Sequence, residues 1–208
     1  YVFNEDNYLG TKLKQKYKYS YSYSLHNKDA DVFIHKSSSN KFLLDSEDIL
    51  PKKINVNFQG DHYFSNLVCA LLLFKIANQE VDLSSIDIFD LSLPEGRNQK
   101  IDFGGRDVFI DFAHTPDALN ASLKSLRSTH SGNLICLFGC GGDRDRSKRS
   151  KMGKIAENLS DQVFVTNDNP RSENPEIIVQ EILSECSSKK INIIFDRKEA
   201  ILKSLESL

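Results

Sequence analysis

Residues 134–149 read Leu-Ile-Cys-Leu-Phe-Gly-Cys-Gly-Gly-Asp-Arg-Asp-Arg-Ser-Lys-Arg. Five apolar side chains run directly into a loop with three glycines, and four basic side chains lie among the next seven residues. An apolar run that ends in glycines predicts a buried strand and a sharp turn, here followed by a helix around Met152–Leu159. A helix N-terminus and guanidinium groups both favour negative charge. The stretch therefore predicts a site for a ligand that carries phosphates, carboxylates or both.

The alternation of strand and helix continues on both sides of this stretch. Thr115-Pro116 is expected to open one helix, with Thr as the N-cap, and Asn174-Pro175 to open another. Asp196-x-x-Glu199 resembles the capping box of a last helix. The strands expected beside Leu134–Phe138 are Val108–Ile110, Val163–Val165 and Ile191–Phe195. Because apolar strands separated by helices form parallel sheets covered on both faces, the sequence predicts an α/β fold with a mainly parallel sheet.

Three polar segments follow strands of this predicted sheet. Asp111 comes after the first strand, the glycine loop after the second, and Asp168-Asn-Pro-Arg171 soon after the third. In parallel sheets, ligands bind outside the carboxyl ends of the strands. We therefore expect the three segments to converge on one rim.

The first part of the chain has a different pattern. The tyrosines between Tyr17 and Tyr23 alternate with Lys and Ser, which predicts a half-buried strand in which they pack against the sheet. Further strands are expected at Tyr1–Phe3, Asp31–His35 and Lys41–Leu44, then a buried helix at Phe64–Ala77 and a short mixed segment at Asp82–Leu93. Since Pro94-Glu-Gly96 reads as a linker turn, two domains are predicted, residues 1–93 and residues 94–208.

Composition narrows the function classes. The 27 Lys and Arg residues nearly balance 29 Asp and Glu residues, so no strong overall field draws the chain to nucleic acid or to an anionic membrane. No apolar run approaches the roughly 20 residues that span a bilayer, and no signal peptide opens the sequence. Cys136 and Cys140 lack the usual zinc spacing, and all four cysteines are expected to be buried or incidental thiols. A reducing cytoplasm fits this pattern.

The glycine loop also has an interpretation as a dinucleotide fingerprint. It lacks the third glycine of that motif, and no acidic residue is clearly placed for a ribose, so a nicotinamide or flavin site is disfavoured. Arg144 lies nearest the glycines and is the best candidate to bind a ligand. The other three cations, Arg146, Lys148 and Arg149, are expected to be mainly solvated or paired with local acids.

The remaining two motifs have both functional and structural interpretations. Asp168-Asn-Pro-Arg171 combines acceptors for the ammonium of an amino acid with a guanidinium fork for its carboxylate, although a plain turn before a helix is the simpler explanation of the motif alone. Asp111 and His114 put a carboxylate at a strand end and an imidazole before a helix, where a lone Asp is often just a cap. No Ser-His-Asp or Cys-His nucleophile set is apparent.

Taken together, these motifs resemble the Mur ligases, and among them the enzymes that add a diamino acid to the peptidoglycan stem peptide. The matching strings are Asp111-Phe-Ala-His-Thr-Pro-Asp-Ala-Leu119, Gly139-Cys-Gly-Gly-Asp-Arg-Asp145 with Lys148-Arg149, and Asp168-Asn-Pro-Arg171. Their order and spacing are family-like, and the resemblance covers essentially the whole chain. It implies a C-terminal Rossmann-like domain preceded by the last part of the central ATPase domain.

The resemblance also implies a reaction. ATP phosphorylates the terminal carboxylate of UDP-N-acetylmuramoyl-L-Ala-D-Glu, the amine of the incoming amino acid attacks the acyl phosphate, and phosphate leaves. Magnesium and positive side chains stabilise the charge of the transferred phosphoryl group. The expected partners are ATP, the UDP-linked dipeptide and meso-diaminopimelate, in the bacterial cytoplasm.

Four residues match the nucleotide side of the family's site. Asp111 matches the aspartate that contacts the ATP ribose, and Asn66 matches an asparagine near the adenine. Arg97, in the interdomain linker, matches an arginine that reaches the nucleotide phosphates, and it is the expected catalytic residue. His114 belongs to the same motif as Asp111, with a less defined role.

Four residues match the amino-acid side. Arg144 matches the arginine that binds the incoming diamino acid, and Asp168, Asn169 and Arg171 match the motif that selects meso-diaminopimelate. Lysine-adding relatives usually lack the final arginine. The chemical reason is that diaminopimelate has a second carboxylate that Arg171 can bind, whereas lysine would leave the guanidinium unpaired.

The departures from the family pattern limit what the chain is expected to do alone. Tyr63 stands where the family often has Asn or Gln, and the P-loop, the metal-binding residues and the closing Gly-Lys-Gly-His-Glu segment are absent. The chain is therefore expected to be an inactive piece of a longer enzyme, with the Mg²⁺ ligands elsewhere. Two alternatives remain: a related ligase that adds lysine or another amino acid, and a non-catalytic module that binds an amino acid or a nucleotide.

Overall fold

The computed structural model describes residues 1–38, 41–47, 49–58, 60–83, 88, 91–187 and 189–208. The chain divides into two compact units, Tyr1–Pro94 and Glu95–Leu208. Part of the predicted mixed segment Asp82–Leu93 lies outside the described residues. Among the helices in the described ranges, none is long and apolar enough to cross a membrane.

A mixed sheet forms the centre of the first unit. Its strands, in spatial order, are β1 (Val2–Asn4), β2 (Tyr21–Ser24), β3 (Val32–Ser38), β4 (Lys41–Asp45) and β5 (Lys53–Asn55). β1, β2 and β3 are parallel, whereas β4 is antiparallel to both of its neighbours. The described residues of this unit also include the helices α1 (Tyr8–Lys16) and α2 (Asp61–Ala77). The predicted strands at the start of the chain, near Asp31 and near Lys41 are confirmed, as is the helix that ends at Ala77.

The predicted tyrosine strand is only partly correct. Helix α1 ends just before Tyr17, and the strand begins only at Tyr21. The Asn7 side chain accepts a hydrogen bond from the Gly10 N–H (2.9 Å) and caps α1, which ends at Lys16. β2 covers only the end of the tyrosine stripe, so Tyr23 is buried while Tyr19 is 91% exposed. Since α1 buries only Gly10, it lacks the apolar stripe by which a sequence pattern reveals a helix.

The core of the first unit forms where α2 packs on the sheet. Phe42 of β4 and Phe64 of α2 stack with ring centroids 3.5 Å apart, and both are fully buried. Phe64, Val68, Leu71 and Leu72 are buried along one face of α2, at the spacing of an amphipathic helix. Burial of large aromatic and aliphatic side chains is the main stabilising contribution here.

The second unit contains a three-stranded parallel sheet and a separate two-stranded hairpin. The parallel strands are β8 (Ile135–Phe138), β9 (Gln162–Val165) and β10 (Ile191–Ile193), in the spatial order β10-β9-β8; the hairpin strands are β6 (Gln99–Phe103) and β7 (Arg106–Ile110). The helices are α3 (Pro116–Thr129), α4 (Lys148–Leu159), α5 (Pro175–Leu183) and α6 (Arg197–Glu206). The predicted α/β class is thereby confirmed.

The prediction that Val108–Ile110 joins the parallel sheet is wrong. Those residues lie in β7, which pairs antiparallel with β6. Gly104 and Gly105 both have positive φ (62° and 83°) and form the two-residue connection of the hairpin. A Gly-Gly pair between two short runs is a hairpin signal that the sequence does contain.

The predicted helix starts in the second unit are confirmed by side-chain caps. Thr115 Oγ1 accepts the Ala118 N–H (3.2 Å), Asn174 Oδ1 accepts the Glu176 N–H (2.8 Å), and Asp196 Oδ1 accepts the Glu199 N–H (2.8 Å). Such caps satisfy backbone donors that have no partner within the helix. The helices then bury Leu119, Met152, Ala156 and Ile182, among others, around β8 and β9.

Candidate functional site

The glycine loop packs tightly against the segment that follows β9. The Gly142 N–H donates to the Asn169 carbonyl (2.8 Å), and the Thr166 N–H donates to the Phe138 carbonyl (3.0 Å). A Cβ on Gly142 would come within 2.6 Å of the Pro170 carbonyl carbon and still closer to its oxygen. We call the combined surface of Gly139–Arg144 and Thr166–Glu173 the glycine-loop rim.

The rim changes the interpretation of the glycines. Glycines in a loop after a strand can let a ligand approach the backbone closely, but in this structure the protein's own backbone approaches them. A Cβ on Gly139 would overlap the Thr166 carbonyl oxygen, and one on Gly141 would lie 2.9 Å from Arg171 Nη1. The glycines therefore join the two motifs of the site to each other.

Two residues of the rim have left-handed backbone conformations. Asp143 has φ 51° and Arg171 has φ 48°. The Asp143 carboxylate accepts hydrogen bonds from the Ser172 hydroxyl (2.7 Å) and the Ser172 N–H (3.2 Å), and Arg171 Nη1 donates to the Gly142 carbonyl (2.7 Å). The bonds from Ser172 lower the pKa of Asp143 below its ordinary value. These cross-links hold both unusual conformations in place.

Arg149 pairs with acids, which is one of the two alternatives expected for the cations after the loop, but it is buried and not solvated. Its side chain is 0% exposed. Nη1 donates to Glu173 Oε2 (2.8 Å) and Glu181 Oε2 (2.6 Å), and Nη2 donates to Glu173 Oε1 (2.8 Å) and the Gly141 carbonyl (3.1 Å). Arg146 fits the expectation better, since it is half exposed and pairs with Glu181.

The acids around Arg149 are held in their charged form. The bidentate contact with Arg149, followed by the Asp143 N–H bond, lowers the pKa of Glu173 from 4.5 to about 2. Hydrogen bonds from Arg146 and Arg149 lower the pKa of Glu181. Both carboxylates therefore carry charge at neutral pH, as a buried guanidinium requires.

The four residues predicted to bind the amino acid all lie exposed on the rim: Arg144, Asp168, Asn169 and Arg171. Among the described residues, the side chains of Arg144 and Asp168 have no hydrogen-bond or ion-pair partner. Asn169 Oδ1 accepts the Arg171 N–H (3.2 Å), which fixes the turn. Exposed guanidinium and carboxylate groups on a rigid rim can bind the carboxylate and ammonium groups of a zwitterion.

The predicted nucleotide residues of the second unit cluster around Phe112. Arg97 lies over the Phe112 ring, with 4.8 Å from the guanidinium carbon to the ring centroid, and His114 Nδ1 is 3.1 Å from the Phe112 carbonyl. Asp111 accepts hydrogen bonds from the Asn98 and Ala113 N–H groups (2.9 Å each). Asp111 therefore fixes the turn after β7 and does not cap α3, which Thr115 caps, and its ribose contact stays a prediction.

The expected convergence of three segments on one sheet edge is only partly correct. The glycine loop and the Asp168 segment follow adjacent parallel strands, β8 and β9. Asp111 follows a hairpin strand instead, and its segment is tied to α4 by the Lys148 Nζ bond to the His114 carbonyl (2.8 Å).

Asn66 lies in the first unit, on an exposed position of α2. Tyr63, on the same helix, is half-buried, with its ring centroid 4.0 Å from that of His62.

The sequence interpretation missed Glu173 and did not predict that Arg149 is buried. One signal was available for Arg149: it lies one turn before Met152 and Gly153 and two turns before Ala156, on the buried face of α4. No comparable pattern identifies Glu173. Among the described residues, no group of three or more His, Cys, Asp or Glu side chains could hold a metal ion.

A family model described as "Mur ligase, glutamate ligase domain" matches residues 96–208. The chain belongs to the Mur ligase family. This Mur ligase chain is 43% identical over 163 residues to a UDP-N-acetylmuramoyl-L-alanyl-D-glutamate–2,6-diaminopimelate ligase from Prochlorococcus marinus subsp. pastoris, which covers 74% of the chain and 32% of the relative. The ligase of the same name from Ectopseudomonas mendocina is 35% identical over 209 residues, which covers 97% of the chain and 43% of the relative.

Solved structures agree with the family assignment. A UDP-N-acetylmuramoyl-L-alanyl-D-glutamate–2,6-diaminopimelate ligase superposes with TM-score 0.56 at 32% identity, covering 100% of this chain and 45% of that one. MurF from Acinetobacter baumannii superposes with TM-score 0.75 at 15% identity, covering 99% and 44%, and shows the shared fold. The chain spans less than half the length of these relatives.

Proposed function

We propose that this chain is part of an ATP-dependent ligase that joins meso-diaminopimelate to UDP-N-acetylmuramoyl-L-Ala-D-Glu in peptidoglycan synthesis. In this proposal residues 1–93 end the central ATPase domain and residues 94–208 form most of the C-terminal domain. Support comes from the ligase names of the relatives at 35–43% identity and from the match over residues 96–208. The four cysteines form no disulfide, which fits a cytoplasmic location.

One observation carries the choice of substrate. Arg144 and Arg171 lie exposed on two segments that direct hydrogen bonds join, and the exposed acceptors Asp168 and Asn169 belong to the same rim. meso-Diaminopimelate carries an ammonium and a carboxylate at each end. We assign Arg144 to the carboxylate near the attacking amine, Arg171 to the distal carboxylate, and the Asp168 and Asn169 oxygens to the distal ammonium.

ATP is proposed to bind near the Phe112 cluster. Asp111 is assigned to the ribose, Arg97 to the phosphates as the catalytic residue, and His114 and Asn66 to the same nucleotide. A related MurF ligase from Thermotoga maritima is described in complex with ADP, which favours nucleotide use in this family. Mg²⁺ would screen phosphate charge, but we assign no ligand for it, since the described residues contain no metal-binding group of three.

A ligase assay tests the proposal. The complete ligase that carries this chain is expected to release phosphate from ATP when it has both the UDP-linked dipeptide and meso-diaminopimelate, and to form the tripeptide product. Lysine is expected to react with a kcat/KM at least about tenfold lower, because it offers Arg171 no carboxylate. The 208-residue chain alone is the negative control and should form no product.

Two outcomes would contradict the proposal. Equal kcat/KM for lysine and meso-diaminopimelate would favour a ligase of different specificity. Binding of an amino acid or a nucleotide with no ATP-dependent product would favour a non-catalytic binding module.

A further inference from the structure

The buried cation beneath the glycine-loop rim is not exposed to any ligand, yet it contacts both segments of the rim. Arg149 is 0% exposed and belongs to α4, whereas Glu173 lies at the end of the rim and is 19% exposed. Arg149 Nη2 donates to the Gly141 carbonyl (3.1 Å) as well as to Glu173 (2.8 Å). The pair therefore links α4, the glycine loop and the Asp168 segment.

Glu173 bonds to the glycine loop at Asp143, whereas Arg149 bonds to it at Gly141. Its Oε1 atom accepts the Asp143 N–H (2.6 Å) together with Arg149 Nη2, while Oε2 accepts Arg149 Nη1 (2.8 Å). Arg144 is the next residue after Asp143, and Arg171 stands two residues before Glu173. One carboxylate thus bonds to the backbone next to Arg144 and belongs to the segment that carries Arg171.

Glu181 provides an internal comparison. Its carboxylate also pairs with Arg149 (2.6 Å) and with Arg146, but among the described residues it makes no bond to the glycine loop or to the Asp168 segment. Removing its charge would disturb the same buried cation and leave the rim's own cross-links in place. A comparison of variants at the two glutamates therefore separates an effect on stability from an effect on the geometry of the rim.

We propose that Glu173 is a positioning residue, which with Arg149 sets the distance between Arg144 and Arg171 and so the fit of the diamino acid. The proposal rests on the proposed function, because that function supplies the ligand whose two carboxylates the distance must match. A buried ion pair contributes little net stability compared with apolar packing, but it can select one geometry. Small misplacements of binding groups cost large factors in rate.

Glu173→Gln and Glu181→Gln in the complete ligase test this proposal. Glu173→Gln is expected to raise the KM for meso-diaminopimelate about tenfold to a hundredfold and to lower its preference over lysine by a similar factor. The KM values for ATP and for the UDP-linked dipeptide should stay within about twofold. Both variants are expected to lower the melting temperature, because each removes a charged partner of Arg149. Glu181→Gln is expected to leave the preference for meso-diaminopimelate unchanged.

The outcomes are distinct. An unchanged KM and preference in Glu173→Gln overturns the proposal, as does an equal change in both variants, since the ion pair would then act only through stability. If circular dichroism shows Glu173→Gln to be unfolded, Glu173→Asp replaces it; this variant keeps the charge but shortens the reach, and wild-type preference in it also overturns the proposal. A wild-type ligase with no meso-diaminopimelate reaction would instead refute the proposed function.

Discussion

Replacing Arg171 with alanine in the complete ligase is expected to abolish the preference for meso-diaminopimelate over lysine. A hydrogen bond to a charged group contributes about 1.5–3 kcal/mol, which corresponds to about a 10- to 150-fold loss in kcat/KM for meso-diaminopimelate. Lysine has no distal carboxylate, so its kcat/KM should change little. Arg171→Lys keeps the charge but lacks the planar guanidinium, so its kcat/KM for meso-diaminopimelate should lie between those of the wild type and Arg171→Ala.

A matched control for this prediction is Arg146→Ala. Arg146 belongs to the basic stretch after the glycine loop and is half exposed, but its guanidinium pairs with Glu181. If the summed positive charge attracted the substrate, both alanine variants would lose activity together. If Arg171→Ala leaves the ratio of the kcat/KM values for meso-diaminopimelate and lysine unchanged, Arg171 is not the residue that selects meso-diaminopimelate.

Gly142→Ala is expected to lower the stability of the second unit. The new Cβ would come within 2.6 Å of the Pro170 carbonyl carbon, so the loop and the Asp168 segment would have to separate. Overpacking of this kind costs about 1–3 kcal/mol of the free energy of unfolding. Calorimetry on the 208-residue chain should show a lower melting temperature, and hydrogen exchange should locate the loosened amides between residues 134 and 173.

Gly132→Ala is the control for this substitution. Its Cβ would meet nothing within 4 Å, and its φ is not in the left-handed region. Alanine there should leave the melting temperature unchanged or raise it slightly, because it reduces the freedom of the unfolded chain. Equal melting temperatures for the two alanine variants would show that the rim is not tightly packed.

The parts of the fold that the sequence predicted are those specified by local signals. The run Leu134–Phe138 and the caps at Thr115 and Asn174 were sufficient to place β8, α3 and α5. The polar helix α1 was missed because its only buried residue is Gly10. β7 was assigned to the wrong sheet because an apolar strand does not identify its pairing partner, which only the Gly-Gly turn indicated.

The candidate site was likewise predicted only where local signals specify it. Adjacent parallel strands explain why the glycine loop and the Asp168 segment come together, as the pattern predicted. The bonds of Arg149 to Glu173 and Glu181 join residues 24 and 32 positions apart, and no local spacing encodes them. Side-chain pairing over such distances depends on how α4 and α5 pack, so it could be read only from the structure.

The central claim is that Arg171 binds the distal carboxylate of meso-diaminopimelate. A crystal structure of the complete ligase with meso-diaminopimelate bound tests it most directly. We expect that carboxylate within about 2.7–2.9 Å of the Arg171 guanidinium nitrogens, with Arg144 at the other carboxylate. A bound diaminopimelate whose distal carboxylate contacts other groups, with Arg171 still bonded only to the Gly142 carbonyl, would contradict the account.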